Sequence, residues 1–252
     1  MLYNERAELI LQQLQFQSTV KVGELSQMLQ VSVDTIRRDL KAMEQSGLVK
    51  CVRGGACLPD ALLSLSDFTG REIINGDLKR EAARKALRYV KEGDIIALNS
   101  GTTNTVLSQE LAGLNIKFTV ITNNYAAIHI LMQSPNIRLI AVGGTIDPLE
   151  RSTFGTVCEE EFGRYRPDIA FLSINAVNYK DGYTDFRLDE IGILQLLAKR
   201  AKRVIAVMDS SKLGRCSKRE ALQLEDVDLL VMDDHVSEDM KKMYQEKGTP
   251  IL

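Results

Sequence analysis

From residue 77 onward the chain alternates short apolar runs with charged or amphipathic stretches, and no other feature limits its fold as strongly. The runs "DIIALN", "FTVIT", "RLIAVGG", "DIAFLSI", "RVIAVMD" and "DLLVMD" read as strands. Around them, "DLKREAARKALRYV", "TNTVLSQEL", "NYAAIHILMQ", "TVCEEEFGRY", "DEIGILQLLAK" and "SEDMKKMYQEK" read as helices. Strands separated by helices build an α/β domain with a mostly parallel sheet. It is expected to span residues 76–252.

Residues 1–57 follow another pattern. "YNERAELILQQLQ" places Leu9, Ile10 and Leu14 at helical spacing, and "VGELSQMLQ" puts Leu25, Met28 and Leu29 on one face. After "VS", a third helix carries the stripe Val33, Ile36, Leu40 and Met43. Ser32 is placed to cap that helix and Gly47 to end it. "LVKCVRGGACL" reads as two short strands about a Gly54–Gly55 turn. Together these make a winged helix-turn-helix, whose second helix enters the DNA major groove. Residues 58–75, punctuated by Pro59 and Gly70, lack a clean period and are expected to form a linker.

Stepping the third helix at about 100° per residue aims Ile36 and Leu40 inward and Arg38 outward. Asp34 and Lys41 flank Arg38, with Thr35 and Arg37 at the two sides. Arg38 is placed for a base edge, Arg37 for a phosphate or a structural ion pair. Lys50 and Arg53 flank the glycine pair on the wing, where Gly54 and Gly55 would let backbone approach a phosphate. With Ser32 these residues form the expected DNA-facing set. Asp34, Asp39 and Glu44 leave the segment only a modest basic excess. The same spacing also fits a solvated helix in a protein-binding winged helix.

Charge supports only a local nucleic-acid surface. The 252 residues include 32 basic and 34 acidic side chains, for a net charge of −2. Cys51, Cys57, Cys158 and Cys216 form no close pairs, and His129 and His235 lie far apart, so neither a metal site nor a cofactor is expected. Scattered thiols fit a reducing compartment. "MLYNERAELI" holds no apolar signal core, and no run approaches the roughly 18 apolar residues of a membrane span. A cytoplasmic protein without membrane contact is expected. Cys158 beside "EEEF" reads as part of a solvated acidic helix face.

The sharpest motif is "NSGTT": Asn99, Ser100, Gly101, Thr102 and Thr103, between a strand and a helix. Such a turn offers backbone N–H groups and hydroxyls to an anion at the positive end of a helix dipole. Plain helix capping is the alternative. Three further strand ends carry small or polar residues: Asn123 and Asn124, Gly143 and Gly144, and "DSSK" with Lys212. Ligands of open α/β sheets bind beyond such ends.

"TIRRDL", preceded by "VKVGELSQMLQVS" and followed by "VRGGA", resembles the winged helix-turn-helix of the DeoR family of bacterial transcription regulators. "SGTT", "DIAFL", "LDEIG" and "DSSK" resemble that family's effector-sensing domain. The resemblance implies a ribose-5-phosphate-isomerase-like fold, a pocket for a phosphorylated sugar or related metabolite, and ligand-dependent affinity for double-stranded operator DNA. It also implies a dimer or tetramer and, by family default, a repressor of a sugar-metabolism operon. Glu190 would bond a sugar hydroxyl or supply charge at a helix start. Asn99 stands where an aspartate is common, and "PLERSTFGTV" is atypical.

The rival expectation is a phosphosugar isomerase with a DNA-binding appendage. Aldose–ketose isomerisation needs a positioned base, usually a carboxylate. The corresponding segment reads "NAVNY", Asn175–Tyr179, without one; Asp185, Asp189 and Glu190 lie further on. No enzyme activity is therefore expected.

Overall fold

The structure, a computed structural model, describes residues 2–16, 19–52, 54–57 and 68–252. It divides into two compact units, Met1–Gly76 and Asp77–Leu252.

The first unit opens with helix α1 (Tyr3–Phe16), followed by strand β1 (Thr19–Lys21) and helices α2 (Val22–Leu29) and α3 (Val33–Gln45). Ile10, Leu11, Leu14, Leu25, Leu29, Ile36, Leu40 and Met43 close one apolar core. Val33 and Met28 depart from the expected stripes: both are exposed. Gly47 ends α3 in the left-handed region, φ 73°, and Leu48 N donates back to Met43 O at 2.8 Å. Strands β2 (Lys50–Val52) and β3 (Gly55–Cys57) follow, and β3 pairs antiparallel with both β2 and β1.

Residues 58–67 of the expected linker, like Arg53, lie outside the described residues. Its later part is helical: α4 (Phe68–Ile73) buries Phe68, and Ile74 packs on the core of the first unit. Burying a phenylalanine contributes about 1.5–3 kcal/mol toward holding this piece in place. Gly76 N donates to Glu8 Oε1 at 3.1 Å, tying the same segment to α1.

Helix α5 (Gly76–Ala86) leads into the second unit, which holds all of it but its first residue. Its centre is a six-stranded parallel sheet in the order β14-β12-β9-β4-β5-β6. These strands are β4 (Ile95–Leu98), β5 (Phe118–Thr122), β6 (Ile137–Ala141), β9 (Ile169–Leu172), β12 (Arg203–Val207) and β14 (Leu229–Val231). The runs are apolar at successive positions because both faces are covered. Ala97, Ala170 and Ala206 face one core layer, and Ile96, Leu98, Phe171, Ile205 and Val207 face the other. From β4 the chain first builds outward through β5 and β6, then returns to β4's other side with β9. The sheet therefore has its topological switch point between β4 and β9.

Helices α6 (Thr102–Ala112), α7 (Tyr125–Leu131), α8 (Thr156–Gly163), α9 (Ile191–Arg200) and α10 (Glu238–Glu246) complete the second unit. A hairpin of β7 (Thr145–Asp147) and β8 (Ser152–Phe154) follows β6. A small antiparallel sheet joins β10 (Ala176–Asn178), β11 (Gly182–Asp185) and β13 (Arg219–Leu222). Cys158 is not on a solvated face: it is fully buried in the core on the inner side of α8, and burial pushes its thiol up to about 12. Among the described residues no helix is long and apolar enough to cross a membrane.

Candidate functional site

The turn Asn99–Gly101 leaves the carboxyl end of β4 at the switch point and starts α6. Gly101 is the N-cap residue of α6, with φ 124° and no side-chain cap. The first-turn N–H groups of a helix have no intrahelical acceptor, so they remain available to an anion. Thr103 stands in that turn; its Oγ1 is buried and without a hydrogen-bond partner.

Asn99 stitches β4 to β9. Its Nδ2 donates to Ser173 O at 3.0 Å and to Glu190 Oε2 at 3.3 Å, while its Oδ1 accepts from Ser173 N at 2.8 Å and from Asn104 Nδ2 at 2.9 Å. An aspartate could not donate to Ser173 O, which accounts for an amide here. Asn123 joins the same network, donating from Nδ2 to Glu190 Oε1 at 2.8 Å and Thr153 O at 2.7 Å. Those two acceptors fix the amide's orientation, leaving its buried Oδ1 without a partner. Asn124 caps α7 through Ala127 N at 3.1 Å and donates to Gly101 O at 3.2 Å and Thr105 Oγ1 at 3.1 Å.

Glu190 is thus inside, as are Asp185 and the unforeseen Arg187; Asp189 is exposed. Burial pushes the Glu190 carboxyl above its ordinary value, against the pull of Arg187 and of bonds from Asn123, Ser100 and Asn99. Burial acts on Asp185 in the same direction, but the Arg187 charge and hydrogen bonds outweigh it, with help from Lys212, and hold it below the carboxylate range. Arg187 Nε and NH2 grip the two Asp185 oxygens at 3.0 and 2.7 Å. Its NH1 donates to Ser100 O and Oγ at 3.0 and 3.1 Å, and NH2 also to Ser173 O at 2.9 Å.

The structure therefore brings Asn99, Ser100, Gly101, Thr102, Thr103, Asn123, Asn124 and Glu190 to one place. The Ser100 hydroxyl is turned inward, accepting from Arg187. Lys212, half-buried in a 3-10 turn after β12, reaches the group through its charge on Asp185. Gly143 and Gly144 are exposed and launch the hairpin: a Cβ on Gly144, φ 148°, would sit 2.7 Å from Phe154 O. The hairpin docks back on β5's end, with Thr153 N donating to Asn123 O at 3.0 Å and Tyr125 N to Arg151 O at 2.8 Å. The atypical segment is this hairpin. Among the described residues no cluster of His, Cys, Asp or Glu suited to a metal ion occurs.

On the first unit, Ser32 caps α3 by accepting from Thr35 N at 3.2 Å, and the two hydroxyls share a 2.8 Å hydrogen bond. Arg37, Arg38 and Lys41 are exposed along one side. Arg37 pairs with Asp34 at 3.2 Å, and Arg38 Nε donates to Asp34 O at 3.4 Å. The acidic neighbours are largely committed elsewhere. Asp39 is buried against Arg6, and Glu44 Oε1 accepts from Cys51 N on the wing at 2.7 Å. The exposed face is consequently more basic than its composition. Lys50 and Gly54 are exposed, whereas Gly55 is buried, and a Cβ there would collide with Val20 O. Packing against β1 requires that glycine.

Residues 6–61 match the DeoR-like helix-turn-helix domain, and residues 74–234 match the DeoR C terminal sensor domain. The chain is 34% identical over 248 residues to the HTH-type transcriptional regulator GolR of Listeria innocua, across 98% of this chain and 97% of that protein. It is 28% identical over 254 residues to a putative aga operon transcriptional repressor of Escherichia coli O157:H7, across 99% and 93%. Among solved structures, ribose 5-phosphate isomerase A of Methanocaldococcus jannaschii overlaps 55% of each chain at 22% identity and a TM-score of 0.42, a loose likeness that says nothing about the site. With a family model over each unit and a relative matched along nearly its whole length, the chain belongs to the DeoR family of DNA-binding transcription regulators.

Proposed function

We propose that the second unit senses a phosphorylated sugar or related metabolite at the Asn99–Thr103 turn, and that occupancy changes the affinity of the first unit for operator DNA. The observation that carries this is the uncapped start of α6 at the switch point, with the buried Thr103 Oγ1 lacking a partner beside it. Helix dipole and free N–H groups favour an anion there, and Lys212 adds positive charge near Asp185. Buried acceptors, Glu190 and Asn123 Oδ1, suit the hydroxyls of a sugar. The names of the relatives agree: one is a putative aga operon repressor. Effector and DNA then alter each other's affinity by the same factor.

Catalysis fits poorly. Asp185 is spent on Arg187 and on the Asn175 and Arg187 N–H groups, at 3.0 and 2.9 Å. Glu190 accepts from the Asn99 and Asn123 amides, which fixes its place as a hydrogen-bond acceptor. On the DNA side, Thr35, Arg38 and Lys41 face bases, and Ser32, Arg37 and Lys50 face phosphates. One recognition helix covers only a few base pairs, so a dimer or tetramer on paired half-sites is the working form. The test is a thermal-shift screen of the full chain against sugar phosphates and their dephosphorylated partners. One phosphorylated compound should raise the melting temperature, its dephospho form should not, and Lys212→Ala should weaken the response. Equal responses to both forms would refute anion sensing.

A further inference from the structure

We infer that Arg187 sets the shape of the anion-binding turn, as a positioning residue that straps the end of β4 to the end of β9. This rests on the reading of the Asn99–Thr103 turn as an anion site.

β4 and β9 are neighbours at the switch point, the place where open α/β sheets bind their ligands. The backbone ladder stops at Leu98 and Phe171, so beyond it side chains must hold the two ends together. Arg187 supplies five side-chain hydrogen bonds there, the full donor capacity of a guanidinium. Two hold Ser100 on the β4 side, one holds Ser173 O on the β9 side, and two close on Asp185. Asp185 is itself fixed by backbone N–H groups of Asn175 and Arg187, so the strap is anchored in β11. Arg187 is buried and lies close against the turn: a Cβ added to Gly101 would lie 2.9 Å from NH1 and 2.6 Å from Ser173 Oγ.

Because every donor is engaged, Arg187 does not reach the ligand itself. It acts through Ser100 and Gly101, the residues that aim the first N–H groups of α6. The buried, partnerless Thr103 Oγ1 and Asn123 Oδ1 beside this turn are the independent sign that something is received there. A lysine cannot reproduce the strap, since an ammonium has three donors and no planar fork.

The test measures affinity of the full chain for inorganic phosphate, from the dependence of melting temperature on phosphate concentration. Arg187→Lys keeps the charge and should bind phosphate roughly tenfold more weakly than wild type. The double variant Asp185→Leu/Arg187→Met removes the buried pair without leaving a lone charge, but it strands the Asn175 and Arg187 N–H groups and Ser100 O, so it should melt, without phosphate, several degrees below wild type while still folding. It should nevertheless show the same roughly tenfold loss of phosphate affinity. A wild-type phosphate response retained in either variant overturns the strap while leaving the anion site standing. No phosphate response in wild type overturns the anion reading itself, and the strap with it.

Discussion

Arg6 and Asp39 join the first helix to the recognition helix through a two-pronged contact, Nε to Oδ2 at 2.6 Å and NH2 to Oδ1 at 2.9 Å. Asp39 sits between Arg38 and Leu40, so the pair fixes the roll of α3 and with it the direction of Arg38. Asp39→Asn keeps the shape but loses the charge. Operator affinity should fall on the order of tenfold, as for losing a charge-assisted bond, with base preference unchanged. Fluorescence anisotropy on operator and single-base variants would show it. A changed base preference would mean that Asp39 itself faces DNA.

Arg37 and Arg38 are adjacent but differ in surroundings. Arg37 already leans on the Asp34 carboxylate, while Arg38 donates to the Asp34 carbonyl. Arg38→Ala should cost about 1–3 kcal/mol at one base position and relax preference there. Arg37→Ala should weaken all sequences alike and lower the salt slope by about 1. Titrations at several salt concentrations separate the two. Identical behaviour of the two variants would refute the division of roles.

The sequence carried the parallel sheet, the Asn99–Thr103 turn and the exposure of Arg38 because each depends on neighbours within one helix or strand. The unforeseen features depend on residues far apart in the chain. Arg187 reaches Ser100 across 87 positions, and Gly55 is dictated by Val20. Asp39 counted against the basic face until Arg6 removed it. One local clue existed for the strap. Asp185 and Arg187 are opposite charges two residues apart at a strand end, the spacing that puts side chains on one side. Nothing local could have shown that both are buried.

The two buried carboxylates should give the second unit opposite pH dependences. Glu190 is held above its ordinary value mainly by burial, so in the folded state it keeps its proton where the unfolded chain has lost it. Stability therefore falls as pH rises from about 4.3 through the elevated value. Asp185 is held low by Arg187, so its contribution is present above the ordinary aspartate value and is lost as pH drops through the depressed one. Glu190→Gln should flatten the decline above about pH 4.3 and leave the acid limb intact. Urea midpoints across the pH range test this. An unchanged slope in Glu190→Gln would show that another group titrates.

The paired glycines of the wing make a sharper contrast than their sequence suggests. A Cβ on Gly54 meets open space, and only its φ of 84° opposes a side chain. Gly54→Ala should cost about 1–2 kcal/mol through that conformation alone. At Gly55 the added carbon would strike Val20 O, where β3 crosses β1 in the register Lys21↔Gly55. Backbone cannot yield as a flexible side chain does, so the β1–β3 pairing must open. Gly55→Ala should cost about 3 kcal/mol and abolish operator binding, while Gly54→Ala should retain most of it. The phosphate reading concerns the second compact unit and the wing belongs to the first, so phosphate stabilisation should survive in both variants. Operator anisotropy and phosphate melting shifts on the same preparations would separate a damaged wing from global unfolding. Loss of the phosphate response in Gly55→Ala would show that the damage is not confined to the wing.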